Sequence, residues 1–350
     1  MPASRDCLAS SDAAARPHPG AVRRRRRLSK AAPAAATVLE MTAPDHVTAP
    51  DHVTDLAEQR ATARSAKDFA ESDRLRDQIA EAGWVVRDGA DGYQLAPRPP
   101  YDVLLSVADL PDRSAEPDAG RATVGVLVEG WPDDVRTCVQ ALLAHAPEDV
   151  RVVLLENGPT GAGAVVHELA QDPRVQELHV ERPAGWSQAR QALLAWDTAA
   201  VHVLLDPSTV LEGDGLGPVL QALEGDPDVV GAGWRGVLVD DGWLSFSAAP
   251  PGEVEALLGY LFAVRRSAAA RVPLPAKARF YRNADMEWSF LLREAGGRLV
   301  VPAGELPVRQ DRHRGYHDTP VEHRDKESKK TYDRFLQRFR GREDLRLPRP

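Results

Sequence analysis

Three polar residues and a glycine follow apolar runs, at positions where they could meet a ligand. Glu156, Asn157 and Gly158 come directly after one run, and Asp206 comes directly after another. If both runs are strands of one parallel sheet, these residues point into the same crevice, because ligands bind at the carboxyl ends of such strands. A carboxylate after a strand is also commonly a cap or a turn residue, so that alternative stays open.

A second polar group opens a helical pattern further along the chain. Asp285 and Glu287 precede the apolar residues Phe290, Leu291 and Leu292. A carboxylate at a helix N-terminus can cap the helix, and it can also take a proton from a substrate. The two acidic residues are two positions apart and therefore lie on different faces of the helix, so we expect different roles for them.

The apolar periodicity predicts the framework that must position these residues. Apolar, β-rich runs predict strands, and amphipathic patterns between them predict helices. The predicted strands are 123–128, 150–156, 175–180 and 200–205, and the predicted helices are 132–145 and 187–196. Strands that alternate with helices in this way indicate an α/β domain with a doubly wound, mostly parallel sheet.

Five short motifs follow one another within residues 122–315. They are Glu156-Asn157-Gly158, Arg182-Pro-Ala-Gly185-x3-Ala189-Arg190-Gln191, Leu204-Leu205-Asp206-Pro207-Ser208, Gly259-x3-Ala263-x-Arg265-Arg266 and Asn283-Ala-Asp285-Met-Glu287-x5-Arg293-x2-Gly296. In this order they resemble the nucleotide-sugar-binding domain of family 2 glycosyltransferases. The resemblance implies a GT-A-like fold and an inverting enzyme that moves a sugar from a nucleoside-diphosphate sugar to an acceptor hydroxyl.

The resemblance also implies roles for individual residues. Asp285 is the expected catalytic base, and Glu287 is the second candidate. The residues expected to bind the nucleotide sugar are Glu156, Asn157, Gly158, Arg182, Arg190, Asp206 and Ser208. Transfer through an oxocarbenium-like state requires a carboxylate to take the acceptor proton while cations absorb charge on the departing diphosphate.

Asp206 and His313 are the expected metal-site residues, and Mg²⁺ or Mn²⁺ is the expected ion because the available ligands are hard oxygens. Ser208 stands where the family has a second Asp, which removes one anionic ligand. Two alternatives stay open: a weakly bound metal, or a diphosphate neutralised by arginines alone. The nearby arginines are Arg309, Arg312 and Arg314. The missing Asp also leaves open a nucleotide-sugar-binding protein without turnover.

The N-terminal part has a different character. Residues 1–54 are predicted to form a disordered basic tail and linker, with Met41 as an alternative first residue. Residues 55–98 are predicted to form a small helical hairpin. Asp68 has the spacing of a capping box, and Gly83 is a natural helix stop. The pattern Arg60-x3-Arg64-x2-Lys67-Asp68-Phe69-Ala70-x2-Asp73-x-Leu75-Arg76-Asp77 resembles the C-terminal end of cysteinyl-tRNA synthetases. A tRNA contact and a structural or docking role both stay open.

Two further segments flank the α/β domain. Residues 99–121 are rich in Pro, Asp and Ser and predict a linker around one apolar strand at 101–107. Residues 316–350 predict a helical extension with an amphipathic helix, whose apolar positions are Tyr332, Phe335, Leu336 and Phe339. Its basic remainder allows a peripheral membrane contact, where a lipid-linked acceptor would be found, and packing on the main domain is the alternative.

Composition limits the remaining possibilities. Basic residues are concentrated near the N-terminus of a chain whose net charge is −8, so a general affinity for nucleic acid is not expected. Cys7 and Cys138 allow neither a disulfide framework nor a cysteine metal site. No run approaches the roughly 20 apolar residues of a membrane span. These features favour a cytoplasmic enzyme acting on an unidentified carbohydrate or lipid-linked acceptor.

Overall fold

The computed structural model describes residues 48–89 and 92–348. The chain divides into a small compact unit that ends at Pro100 and a large unit that runs from Tyr101 to the C-terminal end. The tail predicted for residues 1–47 lies outside the described residues.

The small unit packs a helical hairpin against a two-stranded antiparallel sheet. Its elements are α1 (Asp51–Ser65), α2 (Phe69–Glu81), β1 (Trp84–Gly89) and β2 (Gly92–Pro97). The Asp68 carboxylate accepts a hydrogen bond from the Glu71 N–H at 3.1 Å, so α2 begins where the capping box predicts. Gly83 follows α2 with a φ of +80°, which glycine adopts without strain. Buried Arg60 ties α1 to β1 through two contacts with Asp88, at 2.8 and 2.9 Å.

The first helix begins earlier than the sequence predicts. The predicted linker reaches residue 54, whereas α1 begins at Asp51. The reason is apolar burial: Val53 is fully buried in the core of the small unit. The other buried residues of this core are Ala57, Ile79 and Trp84.

An eight-stranded sheet forms the centre of the large unit. Its strands, in spatial order, are β11 (Gly252–Val254), β14 (Arg298–Val301), β8 (Val229–Gly233), β13 (Leu261–Arg265), β6 (Val201–Leu205), β3 (Ala122–Val128), β4 (Val150–Asn157) and β5 (Val175–Val180). Strands β6, β3, β4 and β5 are parallel, and β14 is parallel to β8. The predicted mostly parallel sheet is confirmed, with β13 and β11 reversed relative to their neighbours.

Helices cover both faces of this sheet, which is why its central strands are almost continuously apolar. Val124 and Val126 of β3 point into one core cluster, and Leu127 points into another. The first cluster receives α3 (Pro132–His145), α4 (Gly163–Leu169) and α6 (Gly217–Gly225). The second receives α5 (Trp186–Trp196), α7 (Arg266–Arg271) and α8 (Ala284–Glu294). The alternation of strands and helices that the sequence predicts is therefore present.

Two smaller antiparallel sheets and two C-terminal helices complete the large unit. The sheets are formed by β9 (Gly236–Val239), β10 (Phe246–Ala248) and β12 (Ala256–Leu257), and by β7 (Thr209–Leu211) and β15 (Val308–Gln310). The helices are α9 (Arg314–His317) and α10 (Val321–Phe339). Across the described ranges, none of the helices has both the length and the apolar character needed to cross a bilayer.

The amphipathic helix α10 packs on the large unit. Phe335 and Phe339 are buried in a third core cluster, against Trp243 and against Phe290 of α8. The packing alternative therefore describes this helix. The apolar face that a membrane contact would need is covered by the protein's own core, because Phe335 and Phe339 are already buried there.

The segment predicted as a linker is also packed on the large unit. Leu104 forms a single parallel bridge with Val180, and its N–H donates to the His179 carbonyl at 2.9 Å. Arg266 donates to the carbonyl of Glu116 at 2.8 Å. The predicted strand at 101–107 is reduced to that one bridge. Two further backbone hydrogen bonds, from the N–H groups of Glu181 and Arg182 to the carbonyls of Leu104 and Leu105, lie just beyond the end of β5.

Candidate functional site

A cleft opens at the carboxyl ends of β3 and β6, where doubly wound sheets bind their ligands. It consists of two adjoining cavities of about 260 and 210 Å³. We name them the Glu129 cavity and the Asp285 cavity, each after a carboxylate that lines that cavity alone. The residues that line both are Trp186, Arg190, Asp206, Tyr281 and His313.

Asp206 directly follows β6 and is held from two sides. Its Oδ1 accepts hydrogen bonds from the Ser208 N–H at 2.9 Å and from the Ser208 hydroxyl at 2.5 Å, and its Oδ2 lies 3.0 Å from His313 Nε2. Burial would raise the pKa of Asp206, but His313 and the Ser208 hydrogen bonds outweigh burial and hold this pKa at about 2. Asp206 is therefore ionised at neutral pH.

His313 comes from the loop after β15 and lies among aromatic rings. Its ring centroid is 4.4 Å from that of Tyr281 and 5.8 Å from that of Tyr260. In the part of the chain that the structure describes, no group of three or more His, Cys, Asp or Glu side chains is placed to hold a metal ion. Asp206 and His313 supply two donors. Mg²⁺ is often held by one or two carboxylates, with substrate phosphates and water as its other ligands, so Asp206 fits a cation bound together with phosphates. His313 would add a nitrogen ligand only as a neutral imidazole.

Arg190 lies in the wall that the two cavities share. Its guanidinium donates to the Gly125 carbonyl at 2.6 Å and to the Leu205 carbonyl at 3.0 Å, which ties β3 to β6. Its Nε has no partner among the described residues. Burial lowers the pKa of Arg190 to about 10, although the charge of Asp206 opposes this. Arg190 therefore keeps its positive charge at neutral pH.

Asp285 lies in the first turn of α8. The preceding Asn283 has a φ of +69° and starts the helix. The Asp285 Oδ2 accepts a hydrogen bond from the Gly259 N–H at 2.8 Å, and Oδ1 accepts one from the Met286 N–H at 2.9 Å. Burial raises the pKa of Asp285 to about 6, against the opposing effect of these hydrogen bonds. This carboxylate is thus a stronger base than an ordinary aspartate.

Glu287 points in another direction. It is buried against α10, where its carboxylate pairs with Arg334 at 2.9 and 3.3 Å. The structure therefore separates the two candidates for the base, since Asp285 lines a cavity of the cleft and Glu287 joins two helices.

The acidic residue of the β4 motif is turned away from the cleft. Glu156 is buried and bonds to His179 Nδ1 and to the Thr160 hydroxyl, both at 2.8 Å. The other nitrogen of His179 lies 2.9 Å from Glu177. Glu156 and His179 raise each other's ionised fraction, and the Glu156 pKa is lowered by His179 and Thr160 despite the opposing effect of burial.

The next two residues of that motif organise a turn. The Asn157 side chain donates to the Ala184 carbonyl at 2.9 Å and accepts from the Ala184 N–H at 2.8 Å. Gly158 has a φ of +96°, and a Cβ there would lie 3.1 Å from Pro183. These contacts fix the 182–185 segment in front of α5. Asn157 and Gly158 therefore hold this segment in place.

The remaining predicted arginines lie outside the shared wall. Arg182 is exposed and lines a separate groove of about 560 Å³. Arg312 and Arg314 pair with Asp318 and Asp134, and Arg309 pairs with Glu212 and Asp311. Of these four, only Arg314 lines the Glu129 cavity.

Among the cleft residues that were not predicted from the sequence are Glu129, Trp131 and Trp186. Glu129 directly follows β3 and accepts a hydrogen bond from the Asn157 amide at 3.3 Å. The rule that selects Asp206 after a strand applies equally to Glu129, so this signal was present. Trp131, with a φ of +52°, and Trp186 also line the cleft, and ordinary core tryptophans give the same sequence pattern.

Comparison with known proteins identifies two segments of the chain. Residues 126–266 match the model of glycosyl transferase family 2, and residues 47–94 match the model of the cysteinyl-tRNA ligase anticodon binding domain. The cysteine–tRNA ligases of Kocuria rhizophila and Opitutus terrae are 63% and 57% identical to this chain over 38 and 44 residues, or 11% and 13% of it. The chain spans only 8% and 10% of the length of these two ligases.

A solved structure shares the fold of the large unit. GalNAc-T7, crystallised with UDP, GalNAc and Mn²⁺, matches with a TM-score of 0.51 and 15% identity over 62% of this chain and 48% of that chain. The GT-A-like α/β fold expected from the motifs is therefore confirmed. Within this fold, residues 126–266 are similar to glycosyl transferase family 2, and residues 47–94 are similar to the anticodon binding domain of cysteinyl-tRNA ligases.

Proposed function

We propose that the large unit is an inverting glycosyltransferase, which moves a sugar from a nucleoside-diphosphate sugar to an acceptor hydroxyl. The observation that carries this proposal is that one cleft contains both a carboxylate with a raised pKa and a second carboxylate that contacts a histidine. Asp285, with a pKa raised to about 6, lines one cavity, and the Asp206–His313 pair lies in the wall shared with the other. The family match over residues 126–266 supports the reaction class.

Asp285 accepts the proton of the acceptor hydroxyl in this mechanism. Each of its oxygens already accepts one backbone hydrogen bond, which fixes the plane of the carboxylate, and each retains a second lone pair. A base with a pKa near the working pH is ionised and still takes a proton readily. Asp285 meets this condition better than a solvent-exposed aspartate would.

The diphosphate would lie in the Glu129 cavity, against the wall that the two cavities share. Arg190, which lies in that wall, offsets the negative charge that develops on the leaving group. Asp206 and His313 would hold Mg²⁺ or Mn²⁺, and the bound ion would neutralise the diphosphate. Ser208 occupies one oxygen of Asp206 through two hydrogen bonds, so the cation site depends on the remaining oxygen and on the donor's phosphates.

A donor screen tests this function. The full chain is titrated with UDP-, GDP- and dTDP-sugars, with and without Mg²⁺ or Mn²⁺, and the release of nucleoside diphosphate is then measured. We expect one donor class to bind and to be hydrolysed slowly in the absence of acceptor. Binding without hydrolysis or transfer, across acceptors and metals, would instead identify a nucleotide-sugar-binding protein.

We assign the N-terminal segment a structural or docking role. Residues 48–100 contain ten acidic and seven basic residues, a formal charge of −3, which does not favour phosphate contacts. Filter retention of tRNA by the full chain tests this assignment, because binding to phosphates weakens steeply as salt concentration rises. Salt-sensitive retention that is lost with Arg74→Glu would establish an RNA contact instead.

A further inference from the structure

Aromatic and charged side chains line both cavities of the cleft, but the individual residues differ. Charged side chains line the Glu129 cavity, among them Glu129, Asp134, Arg279 and Arg314. Beside Trp186 and two tyrosines, the Asp285 cavity is lined by four apolar side chains that the Glu129 cavity lacks: the partly buried Phe246 and Leu258, and the buried Val237 and Met286. We propose that the acceptor carries an apolar group, a ring or a short alkyl chain, beside the hydroxyl that Asp285 deprotonates. This inference rests on the proposed function and specifies its substrate class.

The apolar wall lies directly beside the proposed base. Gly259, whose N–H holds Asp285, follows Leu258 in the chain, and Met286 follows Asp285 itself. Two of the four apolar residues are therefore chain neighbours of the groups that fix the carboxylate. A hydroxyl placed at Asp285 puts its substituents against this wall.

The wall is built as part of the folded core. Phe246 and Leu258 are partly buried and pack against the third core cluster. The ring of Phe246 lies 5.9 Å from that of Phe335 and 6.2 Å from that of Tyr332, both on α10. The apolar surface is thus held in place before any ligand binds. Such a preformed apolar cavity favours an apolar ligand group over water.

The same cavity also offers polar groups. Arg282 and Asn283 line it close to Asp285. Arg282 donates to the Tyr316 hydroxyl and its guanidinium lies 5.1 Å from the Tyr316 ring, which orients the side chain. A sugar ring could therefore be held by polar contacts while its apolar substituent meets Phe246 and Leu258. An apolar glycoside satisfies both sets of residues.

The size of the cavity limits the apolar group. Its volume of about 210 Å³ must hold the part of the acceptor that carries the hydroxyl as well as the apolar group. This space suits a ring or a short chain. Because each buried methylene strengthens binding about fourfold, the benefit of a longer chain should rise and then level off once the cavity is filled.

An acceptor series tests this inference on the full chain. With a donor that the protein hydrolyses, transfer to methyl, butyl, octyl and phenyl glycosides of glucose, galactose and mannose is measured by mass spectrometry, below micelle-forming concentrations. We expect kcat/KM to rise at least about tenfold from methyl to butyl or phenyl, with little further gain for octyl. Equal kcat/KM for all aglycones would overturn the inference.

Variants of the wall provide the second measurement. Phe246→Ala and Leu258→Ala should each lower the butyl-to-methyl ratio of kcat/KM at least about threefold. Leu244→Ala is the matched control, since Leu244 is 60% exposed near Phe246 and does not line the cavity, and its ratio should stay unchanged. An unchanged ratio in both wall variants would contradict the inference. If Phe246→Ala does not fold, Leu258→Ala and the wild-type series decide.

Different results would overturn the acceptor class and the proposed function. Donor hydrolysis without any preference for apolar aglycones would overturn the acceptor class and leave the proposed function intact. A protein that neither binds nor hydrolyses any nucleotide sugar would overturn both.

Discussion

Replacing Asp285 by asparagine separates the catalytic role of this residue from its structural role. Asparagine has nearly the same shape and can still accept a backbone hydrogen bond from Gly259 or Met286. It cannot accept the proton of the acceptor hydroxyl. We therefore expect kcat to fall about 10²- to 10⁴-fold, with donor affinity nearly unchanged.

The same substitution should alter stability in a predictable direction. The pKa of Asp285 is raised from 3.8 to about 6 in the folded protein. At about 1.4 kcal/mol per pKa unit, ionisation lowers the free energy of unfolding by up to about 3 kcal/mol. The contribution of this carboxyl to the free energy of unfolding is fully present below pH 3.8 and is lost as the pH rises through about 6. Asp285→Asn lacks this loss, so its stability relative to the wild type should increase from pH 4.5 to pH 8.

Urea unfolding, followed by tryptophan fluorescence at several pH values, measures this relative stability, and initial rates of transfer give the activity. The rate of the wild type should also fall as the pH drops below about 6, because the base becomes protonated. Turnover of Asp285→Asn within about tenfold of wild type would refute its role as the base. An identical pH dependence of unfolding for both proteins would refute the burial argument.

Three further substitutions test other parts of the structure. Glu287→Gln breaks the contact with Arg334 and should lower the free energy of unfolding by about 1–3 kcal/mol while turnover is retained, as urea unfolding and transfer rates would show; loss of turnover at full stability would identify Glu287 as the base. Ser208→Asp places a second carboxylate beside Asp206, so its melting temperature should fall in chelator and rise with Mn²⁺ more than that of the wild type; equal responses to Mn²⁺ would argue against a cation there. Gly125→Ala adds a Cβ 2.8 Å from the buried His202 ring and should destabilise the protein by about 1–3 kcal/mol, whereas a wild-type midpoint would show that the ring can move aside.

Much of the fold follows from local sequence patterns. Apolar strands and amphipathic helices are visible in one sequence because their burial is periodic, and the cap at Asp68 depends only on neighbouring residues. The small antiparallel sheets of the large unit were not predicted, since strands of two to four residues carry too little periodicity. Val53 shows the same limit, because only its tertiary contacts reveal that α1 begins before residue 55.

The candidate site was predictable only in part. The motifs indicated Asp206, Arg190 and Asp285, and all three line the cleft. The orientation of Glu156 was not predictable, because it depends on His179, a residue 23 positions away on the neighbouring strand. Residue spacing shows which side chains reach the end of a strand, and partners on adjacent strands decide where those side chains point.

The ion pairs along α10 bear on where this protein can be shortened. Arg334 and Arg338 of this helix pair with Glu287 and Glu294 of α8, so two ion pairs join α10 to the helix that carries Asp285. A chain ending before residue 321 would leave those carboxylates without these partners and would expose the aromatic side chains of the third core cluster to water. Such a surface promotes self-association. Leu345 is buried in the same cluster, and the Leu347 N–H donates to the buried Glu255 carboxylate at 2.9 Å. The smallest well-behaved form of the large unit therefore extends about eighty residues beyond the family match that ends at 266, through Leu347.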